Sequence, residues 1–142
     1  MLLMAAIMIT VCAQTNDSLK DADAIKQVIQ TAYVDGIQNN GEIEAIERGF
    51  HPDFEMLILR NNVLSTFSIS KWIESIRRRK ADPTTAVRPE VSCKFLNIDV
   101  TGDAAVAKLE LYQEGKLLFT DYICLYRFDE GWTIVSKLFY RH

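Results

Sequence analysis

The residues best equipped for chemistry are few. The chain has two histidines, and His51 stands in the stretch Phe50-His51-Pro52-Asp53 with a carboxylate two residues away. An imidazole or carboxylate facing a ligand can abstract a proton, with a tyrosine or second acid polarising a carbonyl. His51, Asp53 and, further along, Asp121 are therefore the candidate bases of an isomerase- or dehydratase-like enzyme. The same residues have a structural reading. Proline at 52 pushes His51 out of helical conformation and donates no N–H, so the chain turns extended there. Asp53 can accept backbone N–H groups in that turn or hold His51 in one orientation. This makes His51-Pro52-Asp53 more hinge than machinery. His142 is the last residue, where fraying is expected.

Asp121 and Lys137 form a second acid–base pair. They could exchange a proton in a cavity, but an ion pair that fixes strand register or docking between copies is the simpler reading. Tyr33, Trp72, Tyr122, Tyr126 and Tyr140 offer rings and hydroxyls for a small, largely apolar ligand; as ordinary core they need no ligand. The run Arg77-Arg78-Arg79-Lys80 could bind phosphate, but such a run is more often a solvated helix end that complements the helix dipole, and that is the preferred reading. No cluster of His, Cys and carboxylates has metal-ligand spacing, no glycine-rich phosphate loop is present, and a serine triad lacks a pocket histidine. No metal or cofactor is expected.

These side chains must be positioned by the elements around them. Ser18 and Asp21 resemble a capping box, and Ala22, Ile25, Val28, Ile29, Ala32, Tyr33 and Ile37 recur at helical spacing. Asn39-Asn40-Gly41 ends that long helix, and 42–49 offers a shorter one. Residues 54–59 and 63–67 read as strands joined by Asn61-Asn62. Ser68 and Ser70 are candidate N-caps of a helix running to Lys80, closed by Asp82-Pro83 and followed by a connecting loop to Pro89. From Val91 a four-strand meander is expected over 91–100, 104–112, 117–128 and 132–140. The order predicts an α+β fold with helices on one side of a curved sheet.

Register tests the thiols and faces. A tight turn at Gly102-Asp103 sets Lys94 against Glu110 or its neighbour. Cys93 and Cys124 then lie on the order of 20 Å apart, too far for a disulfide, so both are expected as free, buried thiols. A turn at Gly131 would set Tyr126 opposite Ile134 and Ile123 opposite Lys137. One face then carries Tyr122, Cys124, Tyr126, Phe128, Trp132, Ile134, Leu138 and Tyr140. The other carries Asp121, Ile123, Leu125, Val135, Lys137 and Phe139. Neither alternates cleanly with polar residues, so both need cover. The aromatic face is assigned to the helices and a pocket, and the face of Ile123, Leu125, Val135, Lys137 and Phe139 to a symmetric homodimer, with the exchange of the two faces left open.

A length of 142 residues suits one domain. With 49% apolar and 25% charged residues and a formal net charge of −3, a broad attraction to nucleic acid or acidic lipid is not expected. The uncharged opening MLLMAAIMITVCAQ is too short to span a bilayer and suits a signal-peptide core. Residues 1–13 are read as an export signal to the periplasm or exterior, 14–17 as a short tail and 18–142 as a single domain. Lipid anchoring at Cys12 is a minor alternative.

The stretches Thr120 to Leu125 (TDYICL), Gly131 to Lys137 (GWTIVSK) and Phe50 to Asp53 (FHPD) resemble the bacterial putative lumazine-binding group. That group lies within the nuclear-transport-factor-2-like superfamily, near its polyketide-cyclase-like branch, and the resemblance covers about residues 18–142. It implies a cone: a strongly bent antiparallel or mixed sheet wrapped against three helices of the N-terminal half, with a cavity at its mouth and frequent dimerisation through the outer side of the sheet. The same cone hosts isomerases, dehydratases, cyclases and non-catalytic proteins, so function must come from the site. Three readings follow: an exported binder of a small molecule that is not transformed, which the absences above favour; an isomerase- or dehydratase-like enzyme; and a dimeric assembly module. A carboxylate facing a cavity would favour the enzyme, a cavity of rings and hydroxyls the binder, and a filled cavity the assembly module.

Overall fold

The computed structural model describes residues 17–142; the proposed export signal, most of the short tail and Cys12 lie outside the described residues. Helix α1 is α-helical over residues 17–28 and continues over Ile29–Gln38 with the wider π-helical hydrogen-bonding pattern. The Asn39 N–H reaches back five residues to the Val34 carbonyl at 3.0 Å, and the Gly41 N–H to that of Gly36 at 2.9 Å. Helical periodicity predicted the helix but not its wide last turns. Such turns are uncommon and concentrate where a side chain must be re-aimed; here they carry Tyr33.

Helix α2 (Ile43–Gly49) leads directly into β1 (Phe50–Arg60), so the helix ends just before His51 and Pro52, as the proline requires. Strand β2 (Val63–Ser68) returns from Asn61 and Asn62, both at positive φ. Ser68 then caps α3 (Ile69–Ala81), accepting the Lys71 N–H. The meander follows as β3 (Val91–Thr101), β4 (Ala104–Gln113), β5 (Lys116–Phe128) and β6 (Gly131–Arg141), each within a residue or so of its expected span. Gly102, Gly115 and Gly131 supply positive φ at the three turns.

The six strands form one mixed sheet in the order β2-β1-β6-β5-β4-β3; β1 and β6 are parallel and the other pairs antiparallel. Lys94 lies opposite Glu110, and Ile123 opposite Lys137, as expected. Register slips interrupt the β1–β6, β3–β4, β4–β5 and β5–β6 ladders, and each extra residue adds local bend and twist. The sheet therefore curls around the helices. Ile25, Ile29, Ile46, Ile73 and Ile76 from the helices meet Phe54, Leu109, Leu111, Ile123, Leu125 and Ile134 from the sheet in one core.

One slip moves two residues to the other face, and the two faces are exchanged relative to the expected assignment. Cys124 pairs with Ser136 but Leu125 with Ile134, so β6 carries one extra residue at Val135. Tyr126 consequently faces Thr133 rather than Ile134, and Trp132 and Ile134 turn inward to the side of Lys137. The face of Asp121, Ile123, Leu125 and Lys137, expected to meet a second copy, is the inner wall of the cone. The face of Tyr122, Tyr126, Leu138 and Tyr140, expected to meet the helices, points outward. Cys93 and Cys124 are free, as expected, and half-buried rather than fully buried.

Candidate functional site

The inner wall holds a buried polar constellation. Asp121 projects from the middle of β5, Lys137 from β6 and Tyr33 from the π-helical turns of α1. Their residue exposures are 0%, 4% and 1%. The Tyr33 hydroxyl donates to Asp121 Oδ2 at 2.5 Å, and Lys137 Nζ donates to the Tyr33 oxygen at 2.6 Å. Lys137 Nζ also lies 2.9 Å from Asp121 Oδ1. That last contact is an ion pair rather than an aligned hydrogen bond, because Oδ1 has no hydrogen-bond partner. The donor order, lysine to tyrosine to aspartate, suits an ammonium, a phenol and a carboxylate.

Burial sets the titration of two members. It raises the Tyr33 phenol well above its ordinary value of 10.0, and the Asp121 charge pushes the same way. It lowers Lys137 from 10.5, while Asp121 opposes the shift. The ammonium is also packed among rings, 4.6 Å from the centre of Tyr33, 5.1 Å from Phe139 and 6.0 Å from Trp72. The rings of Tyr33, Phe139 and Trp72 thus surround the buried ammonium. Both carboxylate oxygens of Asp121 face partners in the constellation, so the residue is poorly placed to take a proton from a ligand.

The other expected site residues do not converge there. Tyr33 and Trp72 are internal neighbours, with ring centroids 6.1 Å apart. Tyr122, Tyr126 and Tyr140 lie outside at 36%, 53% and 64% exposure; they share the strand face opposite to Asp121 and Lys137, and it is the latter face that packs on the helices, so the expected aromatic pocket does not form. Phe139 is half-buried beside Lys137, and Val135 is half-buried at the bulge itself. His51 and Asp53 are together at the start of β1: the Asp53 N–H donates to His51 Nδ1 at 3.2 Å, and the imidazole stacks on Phe128 at 5.2 Å. The Asp53 carboxylate, 3.8 Å from that nitrogen, is almost fully exposed. His142 is held rather than frayed, its N–H donating to the Leu118 carbonyl and its ring meeting Thr120 Oγ1 at 2.8 Å. Among the described residues no group of three His, Cys or carboxylate side chains could hold a metal ion, and no helix is long and apolar enough to cross a membrane.

An open groove lies elsewhere. A groove of about 640 Å³ runs between the C-terminal ends of α1 and α3 and the segment 82–90. Its walls are tied together. The Asn39 side-chain amide donates to the Val91 carbonyl and its Oδ1 accepts the Val91 N–H, both at 2.8 Å. Lys80 Nζ donates to the Gly41 carbonyl at 2.6 Å. At Gly41 a Cβ would sit 2.6 Å from the Asp35 carbonyl oxygen, so glycine permits the tight turn behind the groove. Asp35, Gln38, Asn39, Asn40, Arg79, Lys80, Asp82, Arg88 and Glu90 supply its polar lining. Smaller clefts of about 280 Å³ beside Phe50 and Ile73 and about 220 Å³ beside Ala32 and Gly49 flank α2. Sequence reasoning reached this site only through the Arg77–Lys80 run; Asn39 was read as a helix stop and 83–89 as a plain connection.

Solved structures agree on the architecture. A nuclear-transport-factor-2-like protein of unknown function from Shewanella baltica OS155 matches with TM-score 0.69 and 23% identity, over 87% of this chain and 95% of that one. One from Silicibacter pomeroyi DSS-3 matches with TM-score 0.68 and 22% identity, over 88% and 98%. A domain of unknown function with a cystatin-like fold from Nostoc punctiforme PCC 73102 matches with TM-score 0.60 and 15% identity, over 87% and 78%. The fold is thus the α+β cone of that superfamily. No curated protein matches the chain. The family model that matches, over residues 20–140, is described as "Putative lumazine-binding".

Proposed function

The chain belongs to the putative lumazine-binding family, and from that premise we propose that it binds a small molecule in the groove between α1, α3 and residues 82–90 without transforming it. The observation that carries this reading is the separation of room from reactivity. The groove offers about 640 Å³, within the usual range for a small-ligand site, whereas the proton-transfer groups Asp121, Lys137 and Tyr33 are buried and bound to one another. An isomerase or dehydratase would need the reverse arrangement. The groove's amides and charges suit a more polar ligand than the rings alone suggested, and a flat heterocycle of the lumazine class has the necessary hydrogen-bonding edge.

The export signal at residues 1–13 belongs to the same proposal and rests on the sequence alone. A homodimer through the outer sheet face is a second, compatible reading. It is favoured by the outward Tyr122, Leu138 and Tyr140, at 36%, 48% and 64% exposure, with Leu138 directly opposite Tyr122, because a contiguous exposed apolar patch marks an interaction surface.

Amide chemical-shift mapping with added lumazine tests the binding site. The expected result is a saturable shift of the amides of Gln38 to Asn40 and of residues 85–90, with Asp121 and Lys137 unmoved. Shifts centred on Tyr33, Asp121 and Lys137, or conversion of the lumazine, would overturn the reading.

A further inference from the structure

We infer that the groove holds an oxyanion, carboxylate or phosphate, between Arg79 and Arg88, so that its natural ligand is a small organic anion; this deepens the binding reading above and rests on it. Arg79 lies in the last turn of α3, half-buried, and spends one donor on Ser75 Oγ at 3.0 Å. Arg88 comes from the opposite wall and forms no side-chain hydrogen bond or ion pair among the described residues. Both residues line the same groove; burial lowers the Arg79 pKa, and the Arg88 charge acts in the same direction.

Three carboxylates line the same groove, yet none forms an ion pair with either arginine among the described residues. Asp35 accepts from the Gln30 amide at 2.8 Å. Asp82 is held by the Thr84 N–H and hydroxyl at 2.9 and 2.6 Å. Glu90 stays exposed on its own. Cations in the last turn of α3 are explained by the helix dipole, but Arg88 is not on the helix, and a second guanidinium beside Arg79 adds repulsion with no internal return. A bidentate oxyanion removes that repulsion, since a guanidinium fork matches carboxylate and phosphate geometry. The Asn39 and Lys80 ties fix the walls that carry the two arginines.

The test follows the arginine Nε–H signals by NMR while inorganic phosphate or succinate is added, with chloride at matched ionic strength as the control. A parallel arm measures co-sedimentation with phosphatidylglycerol vesicles, which distinguishes a lipid headgroup from a free anion. The expected result is saturable movement of Arg79 and Arg88 with the free anions, weakened at least tenfold by Arg88→Gln and by Arg79→Gln. Arg78→Gln, whose side chain pairs with Glu74 on the solvent side, should bind normally. Vesicle binding lost in Arg88→Gln, without an effect of free anions, would keep the oxyanion site and place its source in lipid. Equal responses to phosphate and chloride, or undiminished binding in a folded Arg88→Gln, would overturn the inference. Lumazine that shifts Gln38 to Asn40 while phosphate and succinate leave both arginines unmoved would overturn it and leave the groove as the binding site.

Discussion

Asp121→Ala should lose about 3–5 kcal/mol of folding stability, because it leaves the Lys137 ammonium buried without its counter-charge. Lys137 is 4% exposed and the Tyr33 oxygen is its other partner, so water cannot replace the carboxylate without opening the core. Removing all three polar groups together is a different perturbation. The triple variant Tyr33→Phe, Asp121→Leu, Lys137→Met exchanges the buried network for apolar side chains of similar size and is expected to recover most of the loss, or to exceed the wild type. Urea unfolding of the single and triple variants measures both. A cost below about 1 kcal/mol for Asp121→Ala would mean that solvent reaches the pair, and the interior would then be open to a ligand.

The second large effect concerns the outer sheet face. Wild-type protein should sediment at the mass of two chains at micromolar concentration, and Leu138→Lys combined with Tyr140→Lys should weaken the association by roughly a hundredfold or more, since central apolar contacts dominate such interfaces and like charges would meet across the two-fold axis. The fold should survive, because both side chains point away from the core and are exposed in the single chain. Analytical ultracentrifugation gives the answer directly. A wild type that remains monomeric at high micromolar concentration would remove the dimer and leave the outer tyrosines as free surface.

Much of the architecture was legible because the punctuation is strong. Gly102, Gly115 and Gly131 all adopt positive φ at turns, Pro52 marks the passage from α2 to β1, and Ser68 caps α3. Alternation between those marks was sufficient to place the meander and to pair Lys94 with Glu110 and Ile123 with Lys137. The expected register of β6 failed at one residue. Strand side chains alternate with period two, so the extra residue at Val135 sends Trp132 and Ile134 to the opposite side. A β-branched valine between isoleucine and serine carries no turn or glycine signal that would announce a bulge. With Trp132 and Ile134 counted among the outer tyrosines, the outward face looked like the oilier one.

The candidate site was legible in pieces. Asp121 and Lys137 were recognised as a pair, but the third member, Tyr33, lies 88 residues before Asp121, and only the curled sheet and the wide turns of α1 bring it there. The groove is harder still, because no contiguous motif encodes it. It depends on Asn39 gripping Val91 across 52 residues and on Lys80 reaching the Gly41 carbonyl, contacts between side chains and backbone that no periodicity reveals. The basic run 77–80 was the only signal, and its partner Arg88 lay in a stretch that reads as plain loop.

The account stands most directly on where a bound molecule sits. A high-resolution crystal structure of the protein grown with lumazine should show density between Asn39, Arg79 and Arg88, with the Tyr33–Asp121–Lys137 contacts unchanged and no water among them. Density that displaces the Trp72 or Phe139 ring and touches Asp121 would contradict it, and would return the carboxylate to the role of a base.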